Sequence, residues 1–357
     1  MQKILKAIAY IFSYIKFKLH KIQRNSVFIV EPNPYHGEII PGFIKYFQDL
    51  GYNVDLYWRY ENNKTNSIKN LKNVNKFVFS PDLYKKILKD KKIKKYEYCF
   101  VSTTTYVKPD KTDVSFFDYL GYIPQTKHGV FIVEHNLKLC LERYNEGKYI
   151  RQGRLFTLSG FDGTPMLNPH YFKPDIKTHI KNKLTTFIIA GRFIKSETVF
   201  FDTINRLIAE NINKFKVIII GLEKRIPKNL EKYIKCTGFI KFPKMYKIIE
   251  RCDFVLPLLN YEDEYQKKFL TESTTGARQL SLGFVKPLVI NELFGHVYDF
   301  DDENSILYHK HDLFDAMKRA IELSNKDYIL MCNNLEKLAD NVYRKSLDNL
   351  REAMKNQ

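Results

Sequence analysis

The sequence holds few cysteines, and their spacing pairs none of them. Cys99, Cys140, Cys236, Cys252 and Cys332 are odd in number and widely separated, with no two at CxxC distance. That argues against a zinc site or a disulfide framework and fits a reducing cytoplasm. No run reaches the ~18 apolar residues needed to span a bilayer. Acidic residues are scarce beside basic ones, 40 Asp and Glu against 58 Lys and Arg, giving a net charge of +18. Such a balance favours an anionic partner: phospholipid, nucleic acid or a phosphorylated substrate. The absence of a helix-turn-helix, zinc or RNP-type motif argues against nucleic acid. What the chain does have is length and apolar content: 357 residues, 44% apolar, enough for two domains with real cores.

Residues 1–24 read as a basic amphipathic helix. At 3.6 residues per turn Ile4, Ile8, Ile11, Ile15, Leu19 and Ile22 share one face, with Phe12 at its edge. Lys3, Lys6, Lys21 and Arg24 lie opposite, and Tyr10, Tyr14 and Phe17 flank them. Lys16, Lys18 and His20 stand where a signal peptide would carry a small-residue cleavage site. The pattern suits either an anionic membrane surface or packing on the body of the protein.

Residues 25–175 read as a first α/β domain. A strand at Ser26–Glu31 runs into Pro32-Asn33-Pro34-Tyr35-His36-Gly37-Glu38, then a helix over 39–50 and a strand at Asn53–Trp58. This is a β-α-β unit, whose first loop lies at the carboxyl edge of the sheet, where open α/β folds bind ligands. His36 can act on a hydroxyl or phosphate, Gly37 permits close backbone approach, and Glu38 can serve as a base or a helix cap. A basic helix is expected over 82–95, as a solvated face or an addition to a membrane-facing surface. His135 follows another strand at the same edge.

Residues 176–320 read as a second α/β domain, and 321–357 as a helical tail. Strands at 185–190, 215–220, 233–237 and 254–259 alternate with helices. After the last of these strands comes a polar loop, then Ser273-Thr274-Thr275-Gly276, a short helix ended by Gly283, and Lys286-Pro287 before another strand. A loop aimed at a helix N-terminus favours phosphate.

Together these residues resemble the GT-B glycosyltransferases, most closely the family-4-like group. The resemblance rests on Ala190-Gly191-Arg192, the 217–221 strand end, Thr237-Gly238-Phe239-Ile240, Thr275-Gly276 and Gly283…Lys286-Pro287. It implies two Rossmann-like domains facing across a cleft, the second binding a nucleotide-sugar donor and the first a glycan or glycolipid acceptor. It assigns the donor diphosphate to Arg192, Lys195, Thr274, Thr275, Gly276 and the Gly37 loop. Phe239, Ile240, Glu272 and Gln279 would serve the nucleoside or sugar. The family's second glutamate is absent, because position 280 is leucine. His36, Glu38 and His135 are the candidate catalytic groups. No Asp-x-Asp pair is expected beside a diphosphate, so no metal is expected. Resemblance implies retention of configuration; with inversion, Glu38 or His36 becomes the base. The expected setting is the cytoplasmic face of a bacterial inner membrane, with surface-glycan synthesis as the task. A soluble acceptor, or a non-enzymatic basic binding protein, are the rivals.

Overall fold

The computed structural model describes residues 2–69, 71–108, 110–135, 153–170, 180–191, 197–221, 226–310 and 312–355. The chain divides into two compact units, one of residues 1–169 with 345–357 and one of 170–344. The second boundary falls inside the long helix Asn325–Lys355.

The first unit begins with α1 (Gln2–Leu19). Strands β1 (Ser26–Glu31), β2 (Asn53–Trp58), β3 (Val74–Val78) and β4 (Tyr98–Val101) follow, then a hairpin of β5 (Thr105–Val107) and β6 (Asp113–Ser115), then β7 (Val130–Glu134) and β8 (Leu155–Thr157). All but the hairpin form one parallel sheet in the order β3-β2-β1-β4-β7-β8. That is the doubly wound order, which changes direction between β1 and β4. β1 is buried along its whole length, as its continuous apolar run requires of a central strand. Aromatic rings fill one face: Phe28 stacks on Tyr57, with Phe77, Phe79 and Tyr96 around them.

α1 lies on this core by its polar and aromatic side. Phe17 is fully buried and meets Tyr57, Phe77 and Phe79 edge-on. Ser13 Oγ accepts from the Val78 amide at 3.0 Å, Lys6 pairs with Glu61 at 2.5 Å, and His20 meets Asp55 at 2.7 Å. The Lys92 ammonium donates to the carbonyls of Phe17, Lys18 and His20, closing the helix C-terminus. The face that sequence periodicity marks as apolar points away from the body: Ile4, Phe12 at 68% and Leu19 at 80% are exposed. Ile22 leaves that face, because the helix stops at Leu19 and Ile22 packs against the core. The expected basic helix over 82–95 is two pieces, Pro81–Ile87 and a 3-10 turn at Lys91–Lys95. Asp90 breaks the run by capping the turn through the Lys92 amide.

The second unit carries β9 (Thr185–Ala190), β10 (Phe215–Ile220), β11 (Ile234–Cys236), β12 (Phe254–Val255), β13 (Val289–Asn291) and β14 (Ile306–Tyr308). Its parallel sheet runs β11-β10-β9-β12, and a Val255–Leu288 bridge leads toward the β13-β14 pair. β12 is shorter than the expected 254–259 strand. Pro257 has no amide hydrogen, and Leu258 takes φ = 51°. The polar loop after it contains a helix, Glu264–Thr271, capped by the Asp263 carboxylate on the Tyr265 amide. Among the described residues no helix is long and apolar enough to cross a membrane.

Candidate functional site

In the first unit the carboxyl edge of β1, β4 and β7 gathers the three candidate catalytic side chains. The His36 and His135 rings are 4.6 Å apart, edge to face, and His36 Nδ1 stands 3.5 Å from Glu38 Oε1. His36 holds φ = 67°, a left-handed backbone that places its ring over the sheet edge. Gly37 does not carry the unusual backbone; it sits against Asn62, Thr65 and Ser67, and its carbonyl accepts from the Ser67 hydroxyl. His135 Nε2 lies 3.3 Å from the Ser102 carbonyl and 3.4 Å from Thr103 Oγ1.

Two carboxylates at strand ends complete the cluster. Glu31 closes β1 with no exposed surface. It accepts from the Ser102 hydroxyl at 2.7 Å, the Thr103 hydroxyl at 2.9 Å and the Asn33 amide at 2.8 Å. Glu134 closes β7 and accepts from the His135 amide at 2.7 Å. The environment splits these groups apart. Burial pushes Glu31 up to about 7, against the opposing charge of His36 and its hydrogen bonds. Burial opposes a charge on His36, but Glu38, then Glu31 and Glu134, outweigh it and hold His36 above its ordinary value. Glu38 is lowered: burial works against its charge, and the bond and charge of His36 prevail. His135 falls to about 3 through burial and the neighbouring His36 charge. The result is one imidazole whose charged form is favoured by a carboxylate partner, beside one whose neutral form is favoured. Pairs pushed apart in this way divide acid and base roles between them. His36 and Glu38 side chains keep 34% and 42% of their surface open, so solvent screens their pairing and it adds little stability.

Glu31 gives a direct test. Its folded value of about 7 lies above the ordinary 4.5. Between these values the unfolded chain ionises while folded Glu31 keeps its proton. Stability therefore falls as pH rises from 4.5 through 7, then levels. Glu31→Gln is expected to remove that decline, a difference of about 3 kcal/mol between the two chains across the window. Denaturant unfolding at pH 4.5 and 8 reads it, and parallel pH profiles would contradict the assignment.

In the second unit the strand ends carry an open backbone edge. Gly191 after β9 and Gly221 after β10 take φ of 108° and 102°, and the Gly191 amide donates to the Ile220 carbonyl at 3.0 Å. A Cβ on Gly221 would lie 3.8 Å from the Gly191 nitrogen, so bare backbone faces bare backbone there. Phe239, 79% exposed, follows Gly238 on the next loop, with Ile240 half-buried behind it. Thr275 caps the helix Gly276–Phe284 through the Ala277 amide at 3.3 Å, and a Cβ on Gly276 would meet nothing within 4 Å. The helix runs through Gly283 and ends at Val285, whose φ of 49° makes the turn expected of the glycine. Thr274 and Glu272 are half-buried on its approach. Both amide atoms of Gln279 are buried and find no hydrogen-bond partner among the described residues. Arg192 and Lys195 lie outside the described residues.

Residue types alone pointed to neither Glu31 nor His170. His170 is buried near the fully buried Arg278, whose guanidinium lies 5.1 Å from the Tyr298 ring centre. Burial, then the Arg278 charge, push His170 down to about 3. The sequence also contains an Asp-x-Asp triplet, Asp299-Phe300-Asp301. The Asp301 carboxylate is spent on a turn, accepting from the Glu303 and Asn304 amides.

No protein-family model matches the chain, and no curated protein sequence matches it. Solved structures do. An α-glucosyltransferase in complex with UDP and a 13-mer DNA containing a central A:G mismatch aligns with a TM-score of 0.55 at 14% identity, covering 91% of this chain and 94% of that one. An O-GlcNAc transferase from Thermobaculum terrenum aligns with a TM-score of 0.50 at 11% identity, over 94% of this chain and 68% of that one. With two parallel-sheet α/β units, each presenting its site residues at strand carboxyl ends, the chain has the GT-B glycosyltransferase fold.

Proposed function

We propose that the protein is a glycosyltransferase. It moves a sugar from a nucleotide-sugar donor to a glycan or glycolipid acceptor of a bacterial surface glycan, such as lipopolysaccharide or capsule, without a metal and with retention of configuration. It works on the cytoplasmic face of the inner membrane, held there through residues 2–24. The observation that carries the reading is the second unit's strand edge. Left-handed glycines at Gly191 and Gly221 leave those strand ends bare of side chains, and the N-terminus of the Thr275-capped helix offers its partial positive charge to a diphosphate. The α-glucosyltransferase of like fold binds UDP, which supports a uridine-type donor.

Sugar transfer proceeds through a cationic, oxocarbenium-like sugar and a departing diphosphate. Arg192, Lys195 and the helix N-terminus after Thr275 stabilise the charge that develops on the leaving group. Gln279, Glu272, Phe239 and Ile240 hold the nucleoside and sugar, and the buried Gln279 amide gains partners it otherwise lacks. His36, Glu38 and His135 receive the acceptor hydroxyl and manage its proton.

A thermal-shift panel of UDP, GDP, CDP and CMP tests this. One nucleotide at about a hundred times its Kd should stabilise the chain by about 2.7 kcal/mol, and Arg192→Ala should abolish the shift. Salt-sensitive oligonucleotide binding with no nucleotide response would instead favour a nucleic-acid-binding role, which the +18 charge makes worth including.

A further inference from the structure

α1 is held to the first unit by one side and carries a solvent-exposed apolar stripe on the other. Ile4, Ile8, Ile11, Phe12, Ile15 and Leu19 fall within an arc of about 100°. Each is two-fifths or more exposed, and Phe17 points to the opposite side, into the core. The Lys92 clasp, the Lys6–Glu61 pair and the Ser13 bond fix the rotation of the helix. The stripe therefore cannot roll inward to be covered by the body. A contiguous apolar strip of this kind marks an interaction surface.

Charge decides what covers it. Residues 2–24 contain six Lys and Arg and no Asp or Glu. Lys16 and Lys18 border the stripe on its two sides, Lys16 also donating to the Lys76 carbonyl and Lys18 pairing with Asp90 at the exposed surface, and Lys86 lies over Tyr14 beside it. A second copy placed symmetrically on this face would bring like charges together. An anionic bilayer offers hydrocarbon to the stripe and phosphate to its borders. We propose that α1 is a pre-formed in-plane membrane anchor. Its outward stripe enters the acyl region of an anionic bilayer, with Lys16 and Lys18 at headgroup level. This deepens the membrane attachment in the proposed function and rests on that part of it. The anchor does not fold on binding, because its other face is already part of the core.

The test uses the full chain, since deleting residues 1–24 would also remove Phe17 from the core. Flotation compares vesicles of phosphatidylcholine alone with vesicles of phosphatidylcholine and phosphatidylglycerol. The parent chain should float with the second. Ile11→Glu with Phe12→Glu replaces two exposed side chains and should abolish flotation while leaving the circular dichroism unchanged. Lys16→Ala with Lys18→Ala should weaken binding about thirtyfold. No flotation of the parent, or undiminished flotation of the double glutamate variant, overturns the proposal. So does a dimer, seen by light scattering, that the glutamate variant splits. The nucleotide thermal-shift panel is read separately on the glutamate variant. Flotation lost with the nucleotide response kept supports the anchor independently of the enzyme reading.

Discussion

Phe17→Ala is expected to lower the stability of the first unit by about 3–5 kcal/mol, the cost of emptying a closed aromatic site. Phe17 is fully buried between Tyr57, Phe77 and Phe79, and its own carbonyl is one of the three held by Lys92. Removing the ring leaves a void bounded by rigid rings on strands that cannot close inward. It also loosens the attachment of α1, since the aromatic contacts and the Lys92 clasp act on the same turn. Differential scanning calorimetry should record the unit's midpoint lower by roughly 10 °C. Phe12→Ala, on the same helix but 68% exposed, serves as the control and should change stability by no more than about 0.5 kcal/mol. Equal, small effects at both positions would mean that α1 does not dock on the sheet in solution.

His135→Ala should reduce transfer by roughly a hundred- to ten-thousand-fold in kcat, the range for a lost acid–base group. A histidine that only braces the loop would instead cost stability and leave kcat nearly intact, so the calorimetric midpoint is measured beside the rate. The pH profile carries a second, independent reading. Glu38 raises His36 above its ordinary range, while burial, then the neighbouring His36 charge, favour the neutral form of His135. The His36–Glu38 pairing is complete between the lowered Glu38 value and the raised His36 value. It is lost as pH falls through the first or rises through the second. Glu38→Gln removes the partner, so the alkaline limb of the activity profile should move toward lower pH. An unmoved limb would separate His36 from the reaction.

Much of the fold was legible because its physics is local. Central strands such as β1 and β10 are continuous apolar runs between turn residues, and the β-α-β order follows from their alternation with helices. Other elements gave no such signal. The helix Glu264–Thr271 buries none of its residues, so it has no apolar period, and the Asp263 cap was its single mark. β12 ends early because a proline and a left-handed leucine follow it, although the hydrophobic run continues.

The candidate site was legible in part for a similar reason. His36, Glu38 and His135 are polar groups just beyond strand ends, where chemistry is expected, and the fold brings them together. Glu31 is a carboxylate at the end of an apolar strand, and nothing in residue order says whether such a group is buried or solvated. Its depth becomes visible once Ser102 and Thr103 are seen to arrive from β4. The orientation of α1 was hidden too. Periodicity reveals that a helix has two unlike faces, but not which of them meets the protein. Here the aromatic residue on the cationic side, Phe17, was the clue.

The two faces of α1 place opposite demands on one stretch of eighteen residues. Each residue added or removed within a helix turns everything beyond it by about 100°. A single insertion near Ala9 would carry Phe17 away from its aromatic site and swing the outer isoleucines toward the sheet. The segment can drift in residue identity at Ala7 or Ala9, but its length and phase are fixed from both sides at once.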